Sequence, residues 1–593
     1  MLNRAEEILK QYFGYQAFRK GQEEIVQSLL AGRDTVGIMP TGGGKSICYQ
    51  VPAILLDGVT IVISPLISLM KDQVDALVSM GIPATQINSS LDYSEVRDRL
   101  QKARGGEYKL LYIAPERLES ENFLSLMREL PVSLVAVDEA HCVSSWGHDF
   151  RPSYLNIAKF LRDLPTRPIV AALTATATPE VTEDIRRQLS LMNEGLVITG
   201  FERKNLILSV RKGEDKRAFV VDYLKANHQQ AGIVYASTRK EVDALHEHLL
   251  KRGLSVTKYH AGLNEEERAG NQEAFLFDDV RVMIATNAFG MGIDKSNVRY
   301  VIHFNMPKNL EAYYQEAGRA GRDGELSECI LLYHPQDVQT QKFFIEQNQL
   351  TTERKEYEYK KLYAMMDYCR TPRCLMQHIV QYFGETQSTE CGQCGNCTND
   401  LELLDITVEA QKIFSCVKRM KERYGASLVA QVLKASKNKK VLQFGFDKLP
   451  TYGLMKEYVE KEIMELIQLL IAEGYLHVTE SQYPVLMVTE KALPVLKGEE
   501  QVWQKIQLRP VQREADDELF ERLRELRKEL SQQEGVPPYV IFHDSTLKEM
   551  SSICPGDKQT MLTIKGVGAA KFEKYGQLFL DCLQEYVQTH SNA

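Results

Sequence analysis

The chain lacks what a membrane protein or a disulfide-stapled protein would need. No run of eighteen or more apolar residues occurs in its 593 residues, so no membrane-spanning helix is expected. The opening stretch M-L-N-R-A-E-E-I-L-K carries acids where a secretory signal needs an apolar core, which sets the expectation of a cytoplasmic protein. Eleven cysteines are few for this length, and seven of them are scattered as reduced, buried small hydrophobes would be. An excess of positive charge is also missing: 72 Lys+Arg against 80 Asp+Glu leave a net charge of −8. That balance argues against a protein that simply coats nucleic acid. A local basic track remains compatible with it, because phosphate contacts depend on a face and not on the total. Ordinary hydrophobic (44%) and charged (26%) fractions allow a sizeable core in each domain, and the length suggests about three to five domains.

What is present begins with a phosphate-binding pattern. The strand-like Thr35-Val36-Gly37-Ile38-Met39 runs into Pro40-Thr41-Gly42-Gly43-Gly44-Lys45-Ser46. Glycines let successive N–H groups turn inward around phosphate oxygens, and the following helix N-terminus adds its positive end. Lys45 supplies a point charge to the β/γ-phosphates and Ser46 a hydroxyl to Mg²⁺. Met39 stands where the stricter pattern has a glycine. Upstream, Phe13 to Gln22 offers aromatics and a Gln, a weak pattern that suits an adenine clamp or an ordinary helix end.

Strand-like stretches at Thr60–Ser64, Leu110–Ile113, Leu134–Val137 and Ile169–Leu173 alternate with helical ones, which predicts parallel strands joined by crossover helices. The third of these ends in Asp138-Glu139, placed to hold Mg²⁺ and to orient and deprotonate a water. A loop with exposed-looking Trp146, His148, Phe150 and Arg151 follows, the kind of side chains on which single-stranded nucleic acid stacks. Thr174-Ala175-Thr176-Ala177-Thr178 then either bridges the nucleotide site to a neighbouring domain or caps a helix at Thr178-Pro179-Glu180.

The combination F-G-Y-x-x-F-R-x-G-Q, T-G-G-G-K-S, S-P-L-I-S-L-M-K-D-Q, A-P-E-R-L, D-E-A-H and T-A-T-A-T resembles the RecQ family of superfamily 2 DNA helicases. That superfamily does not require the first glycine of the phosphate loop, which accounts for Met39. The resemblance implies that Tyr15, Arg19 and Gln22 sit on the adenine, and that Ser64, Arg117, Thr286 and Asn287 lie along the DNA backbone.

Residues 206–335 repeat the alternation without a phosphate loop, with strands at Gly232–Tyr235, Val282–Ala285 and Tyr300–Phe304. The run Gln315-Glu316-Ala317-Gly318-Arg319-Ala320-Gly321-Arg322-Asp323-Gly324 places Arg319 and Arg322 three apart, read as one helical face. Two guanidiniums aimed together suit a triphosphate held by a facing domain. A solvated salt-bridge face is the alternative, against which the flanking glycines count. The run matches the family again, which implies Arg322 as the arginine finger with Arg319 beside it on the γ-phosphate. His141 and Gln315 join the expected catalytic set, with His148 relaying DNA contact toward the γ-phosphate.

Cys374, Cys391, Cys394 and Cys397 follow the spacing C-x16-C-x2-C-x2-C. In a reducing compartment, thiols that converge in this way read as one structural Zn²⁺ site with no open position for catalysis. Cys369 is set aside because the spacing from Cys374, with the following Q-Y-F-G, matches the family's zinc module. Helices near 408–424, 426–435 and 455–473, then a hairpin Leu476–Thr479/Val485–Thr489, suggest a winged helix with Tyr483 at the wing tip. Between 405 and 450, ten Lys/Arg face four Asp/Glu, centred on Lys437, Lys439 and Lys440. Duplex-backbone binding is the preferred reading over a solvated loop. Residues 501–517 read as a polar linker. The tail from Asp517, with its Ile564-Lys565-Gly566-Val567-Gly568 turn, looks like an HRDC domain that either meets a phosphate or packs and regulates.

The expected architecture is α/β: two RecA-like parallel-sheet motor domains (1–205, binding ATP, and 206–342), a helical zinc-binding module (343–402), a winged helix (403–505), a linker (506–516) and a small all-α HRDC domain (517–593). The resemblance implies an ATP-dependent 3′-to-5′ DNA helicase of recombination and repair that uses ATP, Mg²⁺ and one Zn²⁺. It also implies a monomer at the nucleoid, acting on forked or 3′-overhang DNA alongside single-stranded DNA-binding protein. An RNA helicase and a DNA-annealing scaffold with a vestigial motor are the rival readings. The C-terminal tail counts against the first, and intact Lys45, Asp138, Glu139 and Arg322 against the second.

Overall fold

The computed structural model describes residues 1–593 apart from 89–90, 291–294, 349, 386–388, 399–401, 480–484, 507–517, 565, 569–570 and 591–593. Two parallel sheets dominate it. The first contains β1 (Thr35–Ile38), β2 (Val59–Ile63), β3 (Ala84–Ile87), β4 (Leu110–Ile113), β5 (Val132–Val137), β6 (Ile169–Thr174) and β7 (Gly195–Ile198), in the order β3-β4-β2-β5-β6-β1-β7. Its inner strands are buried almost throughout and read as continuous apolar runs, because crossover helices cover both faces of a parallel sheet. The order places β6 between β5 and β1. The Asp138 pair after β5, Thr174 at the end of β6 and the phosphate loop after β1 therefore meet at one carboxyl edge, where α/β sheets bind ligands.

The second sheet contains β8 (Leu206–Lys212), β9 (Ala231–Tyr235), β10 (Val256–Tyr259), β11 (Val282–Ala285), β12 (Val298–His303) and β13 (Ser327–Tyr333), ordered β10-β11-β9-β12-β13-β8. β3, β7, β8, β10 and β13 add to the strands read in sequence. β3 and β10 are short and partly polar, and β7 is an edge strand with alternating exposure, so none of these three carries a long apolar run.

The zinc-module segment shares one hydrophobic core with both sheets: Leu362, Met365, Leu375, Ile379 and Phe383 belong to the same cluster as Val135 and Tyr314. The segment that follows has its own core, from Ile406 to Val502. Its helices Thr407–Arg419, Ala426–Leu433 and Glu460–Ala472 precede the hairpin β15 (Leu476–Val478)/β16 (Leu486–Val488). Tyr483 lies outside the described residues. The linker reading of 501–517 needs correction, because Trp503–Ile506 forms β17 antiparallel to β14 (Glu402–Asp405). Its polar residues mask a strand that closes the segment's two ends together.

The C-terminal helices build a third core from Leu519 to Leu583 and dock on the second sheet's side. Lys528 pairs with Asp279 at 3.2 Å, His543 Nδ1 lies 2.8 Å from Ser296 Oγ, and Lys548 pairs with Glu325. The turn containing Gly566 and Gly568 was read as able to meet a phosphate. Its Gly568 lies against Gly14.

Candidate functional site

The phosphate loop leaves β1 and enters the Lys45–Leu55 helix, with Gly42 and Gly44 at φ near 80°. Only glycine takes that conformation without strain, and a Cβ at position 44 would also collide with the Gln22 amide. Gln22 donates to the carbonyls of Gly43 and Gly44 at 3.1 Å, and its own carbonyl accepts from Arg19 N at 2.8 Å. Arg19 donates to the Gly42 carbonyl at 2.9 Å, and its guanidinium lies 5.8 Å from the centroid of the Tyr15 ring. The three residues expected on an adenine thus gather beside the loop and brace it.

Asp138 accepts from Ser64 Oγ at 3.3 Å. Removal from water, with the Glu139 charge adding, raises its carboxyl to about 6, against the opposing pull of Lys45. Desolvation in turn lowers Lys45, while both carboxylates raise it. Ser64 was expected on the DNA backbone. It is buried and turned to the nucleotide end because β2 lies directly beside β5. Glu139 sits at φ 47°, a left-handed backbone that costs a non-glycine residue about 1–2 kcal/mol. That turn aims its carboxylate at His141, 3.3 Å away. His141 Nδ1 is also 2.8 Å from Thr174 Oγ1, a contact within the first sheet's own domain, and Thr178 caps the Pro179–Gln188 helix, the second of the two uses expected of the threonine run.

From the second sheet, Arg322 lies on the phosphate loop: a Cβ on Gly42 would sit 3.5 Å from Arg322 Cα. The expectation that Arg319 and Arg322 share a helical face needs correction. The helix Leu310–Ala317 ends at Gly318, and the two arginines follow in tight turns that Gly321 permits at φ 57°. Consequently Arg319 is buried on its own side of the cleft, donating to the Gly290 carbonyl, and does not accompany Arg322. Arg203, not singled out in the sequence, donates to the carbonyls of Thr41, Ala320 and Gly321 and ties the arginine turn to the phosphate loop.

The aromatic loop is not exposed as its composition suggested. His148 is buried, and Trp146, Phe150 and Arg151 are half-buried. His148 stacks on His141 with centroids 4.3 Å apart, and its Nε2 lies 3.3 Å from Gln315 Oε1. A continuous line, Glu139–His141–His148–Gln315, therefore crosses from one sheet's domain to the other. Burial lowers the His141 pKa to about 4 and the His148 pKa well below its ordinary value. Arg151 donates to Asp149 and to the Pro65 carbonyl, both at 3.3 Å. Trp146 and Phe150, with Asn287 and Lys308, line a cleft of about 810 Å³. Thr286, next to Asn287 in the chain, is buried. Arg117, expected along the DNA backbone, donates to the Asn88 and Leu91 carbonyls.

The sulfurs of Cys374, Cys391, Cys394 and Cys397 lie within 4.8 Å of one another, with Cys394 Sγ 3.5 Å from Cys397 Sγ and 3.9 Å from Cys374 Sγ. Four thiolates about 2.3 Å from a tetrahedral zinc stand about 3.8 Å apart, so the set fits that ion. Backbone N–H groups of Leu375, Cys391 and Cys394 point at the sulfurs, as thiolates require. Cys369 is buried outside the cluster. Lys437, Lys439 and Lys440 are exposed around the start of the Lys439–Gln443 helix.

Sequence families match successive parts of the chain: DEAD/DEAH box helicase over 19–185, helicase conserved C-terminal domain over 215–324, RecQ zinc-binding over 335–398, RQC domain over 401–513 and HRDC domain over 516–583. The ATP-dependent DNA helicase RecQ of Bacillus subtilis is 52% identical over 99% of this chain and 100% of its own length. The enzyme of the same name from Haemophilus influenzae is 40% identical over 99% and 96%. The solved Mycobacterium smegmatis helicase Lhr bound to ssDNA and AMP-PNP shares the fold, at TM-score 0.50 and 18% identity over 83% of this chain and 61% of that one. No helix among the described residues is long and apolar enough to cross a membrane. The chain belongs to the RecQ family of ATP-dependent DNA helicases.

Proposed function

We propose that this helicase hydrolyses ATP between its two sheets, steps 3′ to 5′ along single-stranded DNA and unwinds forked or 3′-overhang duplexes during recombination and repair. The observation that carries the reading is the seating of the Arg322 turn on the Gly42–Lys45 loop, opposite Asp138 and Glu139. Tyr15, Arg19 and Gln22 receive the adenine, and the backbone of Thr41–Gly44 receives the phosphates with Lys45. Ser46 and Asp138 offer the hydroxyl and carboxylate oxygens that suit Mg²⁺, which supplies charge neutralisation at the β/γ oxygens when bound. Glu139 orients and deprotonates the water, and Arg322 stabilises the charge that develops on the γ-phosphate.

The loop Ser144–Pro152 is the coupler. Bases on Trp146 and Phe150 shift it, and His148 with Gln315 and His141 carries the shift to Glu139. Stacking of about 1–3 kcal/mol per base suffices to bias a loop between two positions. Asn287 and Thr286 border the DNA path, and Lys437, Lys439 and Lys440 meet duplex phosphates. The protein works as a monomer at the nucleoid beside single-stranded DNA-binding protein.

Strand displacement tests the reading. Lys45→Ala should abolish it while folding is retained, and unchanged unwinding by that variant would sink the proposal. ATPase stimulation by DNA should exceed that by RNA of the same length. The reverse order would make this an RNA motor.

A further inference from the structure

The aromatic loop is held by its backbone from outside its own domain. Arg354, on the Thr352–Arg370 helix of the zinc module, donates to the carbonyls of Ser145 and Gly147. Lys361, on the same helix, donates to the Trp146 carbonyl at 2.9 Å, and Lys308 donates to the His148 carbonyl at 2.8 Å. Four successive carbonyls are therefore each met by a cation. Lys361 is 3% exposed and pairs at 2.9 Å with Glu311, equally buried on the Leu310–Ala317 helix. Tyr357 packs edge-on against Trp146 with ring centroids 5.0 Å apart, and Lys361 Nζ lies 4.8 Å from the Tyr357 centroid.

A buried ion pair is weak evidence for stability, because desolvation offsets the attraction. Here it fixes a lysine whose remaining protons reach a loop carbonyl. The platform is stiff, since the zinc module shares its core with both sheets. Arg354 and Lys308 differ from Lys361 in that both border the 810 Å³ cleft. A phosphate oxygen is a stronger acceptor for them than a neutral carbonyl.

We propose that Arg354, Lys361 and Lys308 are positioning residues that grip the aromatic loop in a docked state. Single-stranded DNA engages the loop by drawing Arg354 and Lys308 onto its phosphates, which frees the carbonyls of Ser145, Gly147 and His148. Lys361, anchored by Glu311, remains as the pivot. The kinetic part of this proposal rests on the loop being the coupler. The docked state lowers the fraction of molecules competent for DNA, so weakening the grip raises apparent DNA affinity in proportion.

The chain has two tryptophans, so Trp503→Phe leaves Trp146 as the single reporter. In that background, Arg354→Gln and the double variant Lys361→Met/Glu311→Gln are compared with their parent. Arg354→Gln leaves the buried pair intact, and the double variant strands no lone charge; zinc content and circular dichroism equal to the parent's establish folding. Tryptophan emission and ATPase rate are measured across a titration with oligo-dT. The expected result is red-shifted emission and DNA-free hydrolysis raised about threefold or more in both variants, with a lower half-saturating oligo-dT concentration in the double variant, which keeps both phosphate-binding cations. Unchanged emission overturns the grip. Shifted emission with an unchanged or lower DNA-free rate overturns the coupling on which the proposal rests, and with it the proposal.

Discussion

The two ends of Leu134–Pro152 are built on different principles. The amino end is β5, hydrogen-bonded to a strand on each side, and it delivers Asp138 and Glu139 from a frame that cannot shift without breaking the sheet. The carboxyl end has no strand partner. It is held by cations from the second sheet's side and from the zinc module, together with the His141–His148 stack. A backbone ladder gives permanence, whereas long side chains on carbonyls give a contact that another acceptor can replace. The proposed function puts the chemistry on the permanent end and the sensing on the exchangeable one.

Removing the cation that faces the permanent end should have the largest effect. Arg322→Ala should bind ATP nearly as the parent does and lose about 10³-fold in hydrolysis, the scale of an arginine finger. A nucleotide-binding titration paired with single-turnover hydrolysis checks this, and a loss below tenfold would reassign the finger. Next is the platform of the exchangeable end. Cys394→Ser should cost the module its zinc, whose binding contributes on the order of 10 kcal/mol to folding such sites. Metal analysis and limited proteolysis should then find one zinc lost and the Thr352–Arg370 helix newly cleavable.

A smaller effect lies where the two ends meet. With its pKa lowered to about 4 in the fold against 6.5 unfolded, His141 takes up protons first in the unfolded chain. It therefore withdraws stability as pH falls from 6.5 toward 4. Asp138, raised to about 6, acts with the opposite sign over its own window. Measured against the parent, where the Asp138 contribution cancels, His141→Gln should gain relative stability over that pH range, approaching about 3 kcal/mol. Urea midpoints at stepped pH provide the comparison. The smallest effect belongs to a third region: replacing Lys437, Lys439 and Lys440 with Ala should weaken duplex binding and lower its log–log salt slope by up to about 3, with DNA-stimulated hydrolysis unchanged.

The same contrast explains what was legible in the sequence. The phosphate loop, Asp138-Glu139 and the four cysteines are short-range patterns whose spacing follows from the chemistry, and the structure brings the members of each together. The partners of Ser64, Arg117 and Arg319 were not legible because their direction depends on which neighbour a strand or turn meets, and a linear motif does not carry that. Arg203, Lys308, Arg354 and Lys361 were missed for a related reason. Each is a cation without a motif, and its partner is a carbonyl more than a hundred residues away. The strand Trp503–Ile506 was hidden in a polar stretch because its partner, Glu402–Asp405, lies about a hundred residues earlier.

In the proposed mechanism DNA reaches the catalytic carboxylates through the aromatic loop. ATPase rates of Trp146→Ala measured with and without saturating oligo-dT, alongside its oligo-dT affinity, test it most directly. The expected result is affinity within a few-fold of the parent and a loss of most of the DNA stimulation, the few-fold being the share of one stacked base among many backbone contacts. Full stimulation at parental affinity would contradict it and reduce the loop to packing.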